Sequence, residues 1–191
     1  MFLEGRGDSF IPDYVNIGNK LKNCGCTELC MCCNTAHYAL EELEKLIGLP
    51  FINILKEVAI QCKELGARRV GLMCTDGLRK IGLYEKYFTL INPQMKIVYP
   101  NEEIQTLVTL GICNAKNIKR NDPSSPEYPA TLFGEVSSWF IKEGVDCIIG
   151  GCTDISAVYS PDRIEKIAYV DSLKVLSKII LKKVRNEQLY Q

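Results

Sequence analysis

A unit of strand, turn and helix occurs twice in this chain, and that duplication limits the possible folds more than any other feature. Gly25 matches Gly144, Leu29 matches Ile148, Cys30 matches Ile149 and Cys33 matches Cys152, each pair 119 positions apart. The register continues at 118 positions, from Thr35 to Thr153 and from Asn53 to Asp171. In both copies a cysteine stands where an apolar run stops and a helical pattern begins. The first copy reads Met31-Cys32-Cys33-Asn34-Thr35-Ala36-His37, the second Gly150-Gly151-Cys152-Thr153-Asp154. Equivalent turns carrying equivalent thiols imply a site with two facing sulfurs.

The rest of the chain alternates short apolar runs with longer amphipathic ones, the pattern of a parallel sheet flanked by helices. Strands are expected at 29–33, 51–54, 70–74, 95–99, 146–149 and 167–170. Helices are expected at 12–23, at 34–47, after the second strand up to Gly66, at 78–90, once or twice within 101–120, at 131–143, and from Asp171 onward. Asn34, Thr35 and Asp171 are good N-cap types, and Gly48 with Pro50 stops the second helix. Three prolines, Pro123, Pro126 and Pro129, make 121–129 an irregular and mobile loop. The fold class expected is therefore α/β, with two pseudo-symmetric parallel-sheet lobes flanked by helices and a cleft between them. Residues 1–66 and 168–191 would form the first lobe, completed by the C-terminal helix, and 67–167 the second.

The 191 residues balance 23 Lys and Arg against 23 Asp and Glu. Zero net charge argues against a broad nucleic-acid footprint. Residues 1–10 carry Glu4, Arg6 and Asp8 and no apolar core of a signal peptide, and no stretch approaches a membrane span. A soluble cytoplasmic protein is expected, so the ten cysteines point to buried thiols, a metal site or catalysis in place of disulfides. Cys30, Cys32, Cys74, Cys113 and Cys147 are simplest as small core hydrophobes. Gly5-Arg6-Gly7-Asp8-Ser9 reads as a polar surface turn, and the lysines of the last helix as a solvated face.

A cysteine in the first turn of a helix meets unpaired N–H groups and the positive end of the macrodipole, both of which favour thiolate. In an open α/β sheet the ligand sits at the carboxyl ends of the strands, where Cys33 and Cys152 both fall. Asn34, Thr35 and Thr153 follow directly and are placed to hold a carboxylate. Two opposed sulfurs suit stereoinversion: one removes a proton from one face of a carbon, and the other delivers a proton to the opposite face. No cofactor is required, and neither a dinucleotide fingerprint nor a phosphate-cradling loop is present.

Cys33-Asn34-Thr35-Ala36-His37 followed by Gly151-Cys152-Thr153-Asp154 resembles the aspartate/glutamate racemase family, pyridoxal-independent enzymes with paired catalytic cysteines on two pseudo-symmetric lobes. His37 after Asn-Thr-Ala is similar to the aspartate branch. Thr75-Asp76-Gly77 resembles that family's Thr-x-Gly-Thr loop, with Leu78 in place of its second threonine. The resemblance implies Cys33 and Cys152 as the acid/base residues and Asn34, Thr35, Thr75 and Thr153 as substrate contacts. It also implies Lys116 or Lys119 as a substrate-binding lysine, a small acidic amino acid as substrate with aspartate first and glutamate second, and a homodimer. Members usually open with a strand, a Gly-Gly-rich loop and a substrate-binding arginine ahead of the segment that matches here. The first lobe is thus expected without its initial strand.

Plainer readings stand beside these. His37, four residues from Cys33, supports that sulfur or is a satisfied core histidine. Asp154 supports Cys152 or simply caps its helix. Cys30-Met31-Cys32-Cys33 contains a C-x-x-C, but a second ligand pair at zinc spacing is missing, so no metal is expected. The alternatives to racemisation of aspartate are a related two-cysteine reaction, such as hydantoin racemisation or maleate isomerisation, and a catalytically impaired homologue that only binds acidic ligands.

Overall fold

Two parallel sheets organise the chain. The computed structural model describes residues 9–117 and 122–188, with side chains to residue 185. The small sheet pairs β1 (Leu29–Cys30) with β2 (Phe51–Ile52). The large one runs in the order β4 (Lys96–Val98), β3 (Arg69–Met73), β5 (Cys147–Gly150), β7 (Ile167–Asp171) and β6 (Arg163–Ile164). Its first four strands are parallel, and β6 pairs antiparallel with β7 at the edge. Strands fall where the apolar runs predict them, except for β6, whose two residues give no periodic signal.

Nine α-helices surround the sheets among the described residues: α1 (Ile11–Asn23), α2 (Leu40–Ile47), α3 (Ile54–Glu64), α4 (Asp76–Ile81), α5 (Leu83–Ile91), α6 (Glu102–Ala115), α7 (Pro129–Lys142), α8 (Thr153–Val158) and α9 (Ser172–Gln188). Side chains alternate across the large sheet as a pleated strand requires. Val70, Leu72, Cys147, Ile149 and Val170 pack on one face with α3, α5 and α9. Met73, Ile148 and Tyr169 pack on the other with α6, α7 and α8. A separate cluster, in which Leu29, Met31, Leu40, Leu43 and Ile47 are buried, joins α1 and α2 to the small sheet.

Local chemistry explains where the elements differ from expectation. The single helix expected over 78–90 is two, because Gly82 takes a left-handed φ of 68° and ends α4 before α5 starts; glycine reaches that conformation without a Cβ clash. The helix expected over 34–47 begins as a 3₁₀ turn, Thr35–Ala39, before α2. Pro129 starts α7, where its missing N–H would be unpaired anyway. The remaining proline-rich stretch is folded into turns, with Asp122 accepting from Ser124 and Asn114 donating to the Glu127 carbonyl at 3.0 Å. The expected lobe division, 1–66 with 168–191 against 67–167, groups α3, β7 and α9 with the small sheet. Their packing is on the large one: β7 pairs with β5, and Ile54, Val58, Val175 and Leu176 meet Val70 and Ile149.

Strand order sets the position of the cleft. From β3 the chain moves outward to β4, then returns to place β5 on the other side of β3. The order reverses between β3 and β5, and ligands of open α/β sheets bind outside the carboxyl ends of such neighbours. Thr75 follows β3 there, and Cys152 follows β5.

Candidate functional site

The first cysteine turn is fixed from below by buried polar side chains. Asn34 is 2% exposed, its Oδ1 accepting from Tyr84 Oη at 2.8 Å and its Nδ2 donating to Ser172 Oγ at 3.0 Å. One residue of the turn is thereby tied to α5 and to the start of α9. His37, also 2% exposed, bridges the Cys33 carbonyl (Nδ1, 2.8 Å) and the Ile54 N–H (Nε2, 3.3 Å). A carbonyl accepts only, so Nδ1 carries the hydrogen and Nε2 is the bare acceptor. Burial holds the imidazole below its ordinary pKa and keeps it neutral. His37 is therefore a strut between the Cys33 turn and α3.

Above these supports, Cys32 and Cys33 are exposed. The Tyr14 phenol of α1 is pushed up first by burial and then by the charges of Cys33 and Cys32. Nothing in the sequence singled out Tyr14, because α1 lies outside the duplicated unit. Thr35 Oγ1 lies 3.3 Å from Thr75 Oγ1, and Thr75 Oγ1 also accepts from Leu78 N at 3.3 Å as the cap of α4. The first turn and the end of β3 thus meet through two hydroxyls.

The second turn is built by close backbone approach. Gly151 donates to the Met73 carbonyl at 2.8 Å, and a Cβ on Gly151 would sit 3.2 Å from that oxygen and 3.0 Å from Leu72 Cδ1. A side chain there would crowd the Met73 carbonyl and Leu72, and Cys152 leaves the sheet as the extended N-cap of α8. Thr153 Oγ1 donates to the Cys32 carbonyl at 3.5 Å, so the two cysteine turns touch across the cleft.

Cys152 Sγ donates to Asp154 Oδ2 at 3.5 Å, and Lys116 Nζ lies 3.2 Å from the same oxygen. Asp154 first of all holds the Lys116 ammonium above its ordinary pKa. Burial pushes the Cys152 thiol up to about 11; the N–H groups of Asp154 and Ile155 draw it down, while the Asp154 carboxylate raises it. The helix-start amides expected to favour thiolate are present, but desolvation outweighs them and Cys152 is a thiol at neutral pH. Of the two lysines considered from sequence, Lys116 is beside the second thiol and Lys119 lies outside the described residues. Among the described residues, no three of His, Cys, Asp or Glu are grouped to hold a metal ion, and no helix is long and apolar enough to cross a membrane.

Comparison with known proteins gives the family and the fold. The broad specificity amino-acid racemase RacX of Bacillus subtilis (strain 168) is 26% identical over 162 residues, covering 83% of this chain and 65% of RacX. The aspartate racemase of Picrophilus torridus superimposes with a TM-score of 0.72 at 22% identity, covering 87% of this chain and 65% of that one. Glutamate racemase from Francisella tularensis, solved in complex with D-glutamate, gives 0.65 at 17% identity, over 96% of this chain and 67% of that one. At those identities the two structures speak for the fold alone, and the chain spans only 65% of the length of RacX and of the Picrophilus enzyme. Sequence decides the family: the Asp/Glu/hydantoin racemase model matches residues 6–179, a range that takes in both cysteine turns, and the chain belongs to that family.

Proposed function

We propose that the site racemises a small amino acid by proton transfer between Cys33 and Cys152, without a cofactor. In one direction Cys33, as thiolate, takes the proton from Cα and becomes a thiol. Cys152, a thiol at neutral pH, delivers its proton to the opposite face of the carbanion and becomes a thiolate. The reverse direction exchanges the roles, and each turnover leaves the pair in the protonation state that the other enantiomer needs. The observation that carries this reading is the contact between the two cysteine turns through Thr153 and the Cys32 carbonyl.

The Thr35, Thr75 and Thr153 hydroxyls, which stand at the contacts between the turns, are assigned the substrate carboxylate. Lys116 supplies positive charge beside Cys152, which favours an acidic side chain, aspartate first and glutamate second. Asp154 holds both Lys116 and the Cys152 sulfur in place. The Asn34 side chain is committed to Tyr84 and Ser172, so we assign it to holding the turn. A homodimer accompanies this reading on the strength of family resemblance, and light scattering tests it.

The deciding experiment is deuterium wash-in at Cα of L-aspartate and L-glutamate in heavy water, followed by proton NMR. Exchange is expected for the intact protein, with losses of roughly 10²- to 10⁴-fold in C33S and in C152S. No exchange with either substrate, while both still bind, would leave a binding protein for acidic ligands and end the catalytic reading.

A further inference from the structure

Tyr84 reaches both cysteine turns with one end of one ring. Its Oη donates to Asn34 Oδ1 in the first turn at 2.8 Å. Cε2, bonded to the ring carbon that bears the hydroxyl, faces the second turn: a Cβ on Gly151 would stand 3.4 Å from it, at ordinary van der Waals contact. Asn34 directly follows Cys33, and Gly151 directly precedes Cys152. The residue beside each thiol is thus packed on the same phenol.

The ring itself is held firmly. Tyr84, the second residue of α5, is 1% exposed in the core that α3, α5 and α9 build on the large sheet. Phe88 meets it edge to face, with ring centroids 6.1 Å apart. Burial first, and then the charges of Cys74, Cys62, Tyr99 and Cys152, pushes the phenol well above its ordinary pKa, so the hydroxyl keeps its hydrogen and stays a donor to Asn34. The two turns are as firmly set against the ring. Asn34 Nδ2 donates to Ser172 Oγ at 3.0 Å, and Gly151 N–H donates to the Met73 carbonyl at 2.8 Å. A ring in a close-packed core yields little, and opposed proton transfers at one carbon tolerate little error: a misplacement of about 1 Å costs on the order of 10²-fold.

We propose that Tyr84 is a positioning residue for the proton transfer, a fixed wedge that sets where the Cys33 turn stands relative to the Cys152 turn. The proposal rests on the two-thiol reading above and adds the residue that keeps the thiols in register. Tyr84 acts through Asn34 and Gly151, not on the substrate.

The test separates inversion from exchange. Each thiol alone can exchange the Cα hydrogen of the enantiomer it deprotonates, whereas inversion needs both thiols in place. Tyr84→Phe keeps the ring and removes the hydroxyl that holds the first turn. With L- and D-aspartate in separate runs in heavy water, inversion by Y84F is expected to fall roughly 10- to 100-fold in both directions, while exchange with retention survives for the enantiomer that Cys152 deprotonates. A mere loss of folded protein would lower all of these together. In parallel, the thiols are bridged with 1,4-bis(bromomethyl)benzene at mildly alkaline pH, and the Cys33–Cys152 product is quantified by mass spectrometry with fragmentation. Y84F is expected to cut the yield of that bridge, Asn34→Ala to cut it at least as much, and Y84F to add nothing on top of N34A, because the hydroxyl acts only through Asn34. Tyr84→Leu also withdraws the ring from Gly151 and is expected to lower the yield further, even in N34A. If the parent inverts aspartate but Y84F changes neither the bridge nor the ratio of inversion to exchange, the positioning role is refuted and the two-thiol mechanism survives. If the parent exchanges nothing yet Y84F cuts the bridge, the racemase reading fails and Tyr84 still sets the thiol geometry. A bridge yield that ignores both Y84F and N34A overturns the proposal whatever the exchange data show. A parent that gives neither bridge nor exchange has no facing thiols to position, and both readings end.

Discussion

Cys152 is a case of two opposed effects on one sulfur, decided by magnitude. Helix-start N–H groups draw its pKa down, but burial and the Asp154 carboxylate push it up to about 11. Desolvation of an anion is expensive enough that two amide dipoles do not offset it. The sequence shows the amides, since Cys152 precedes a helical pattern; it does not show how far folding desolvates the sulfur, which depends on packing against residues such as Met73, some 80 positions away. Alkylation by iodoacetamide, read peptide by peptide by mass spectrometry, measures the outcome. The Cys152 profile is expected to rise with a midpoint near 11. D154N removes an anion from beside the thiolate and releases Lys116 to face it, so the midpoint is expected to move down. A midpoint that stays or rises in D154N would mean that the carboxylate does not govern this thiol.

Element by element, much of the fold was legible. Six strands fall at the apolar runs, because a parallel strand buried on both faces reads as an uninterrupted apolar stretch, and Asn53, Thr75 and Asn101 cap α3, α4 and α6 with side-chain oxygens. Both cysteine turns were visible through their duplication. The division of labour within the first turn was not, because Asn34 and His37 are spent on Tyr84, Ser172 and Ile54, residues distant in sequence that only folding brings near. His37 gives the measurable consequence. Burial keeps its pKa below the ordinary 6.5, so the unfolded chain takes up a proton more readily than the folded one. Stability is therefore full above pH 6.5 and declines as pH falls below it. H37A strands the Ile54 N–H and the Cys33 carbonyl, at a cost of about 1–3 kcal/mol, and removes the titrating group. Urea unfolding at pH 5 and pH 7 is expected to show a lower midpoint for H37A at pH 7 and a smaller difference between the two pH values than in the parent protein.

At the scale of the whole molecule, the two thiols are carried by units of unequal strength. Cys152 follows the central strand of a sheet that is covered by helices on both faces, and that strand, β5, is buried throughout. Cys33 rises from a two-stranded sheet of two residues per strand, backed by the small cluster of α1, α2 and the 3₁₀ turn. Two strands alone are marginal in water, so the tethers from Asn34 to Tyr84 and Ser172, and from His37 to Ile54, bind the weaker unit to the stronger. Periodicity announces both sheets but not this inequality, because it does not say which sheet a helix such as α3 packs against. Opening of the small unit therefore separates the thiols without unfolding the large one, a sub-global motion of the kind hydrogen exchange detects. Amides of α1, α2 and β2 are expected to exchange before those of β3, β5 and β7. Asn34→Ala leaves the Tyr84 hydroxyl without its acceptor and cuts one tether, so it is expected to speed exchange across the small unit while the large sheet keeps its protection. Uniform acceleration of both units would instead mean that they open as one, and the tethers would then have no separate part in keeping the two cysteine turns in contact.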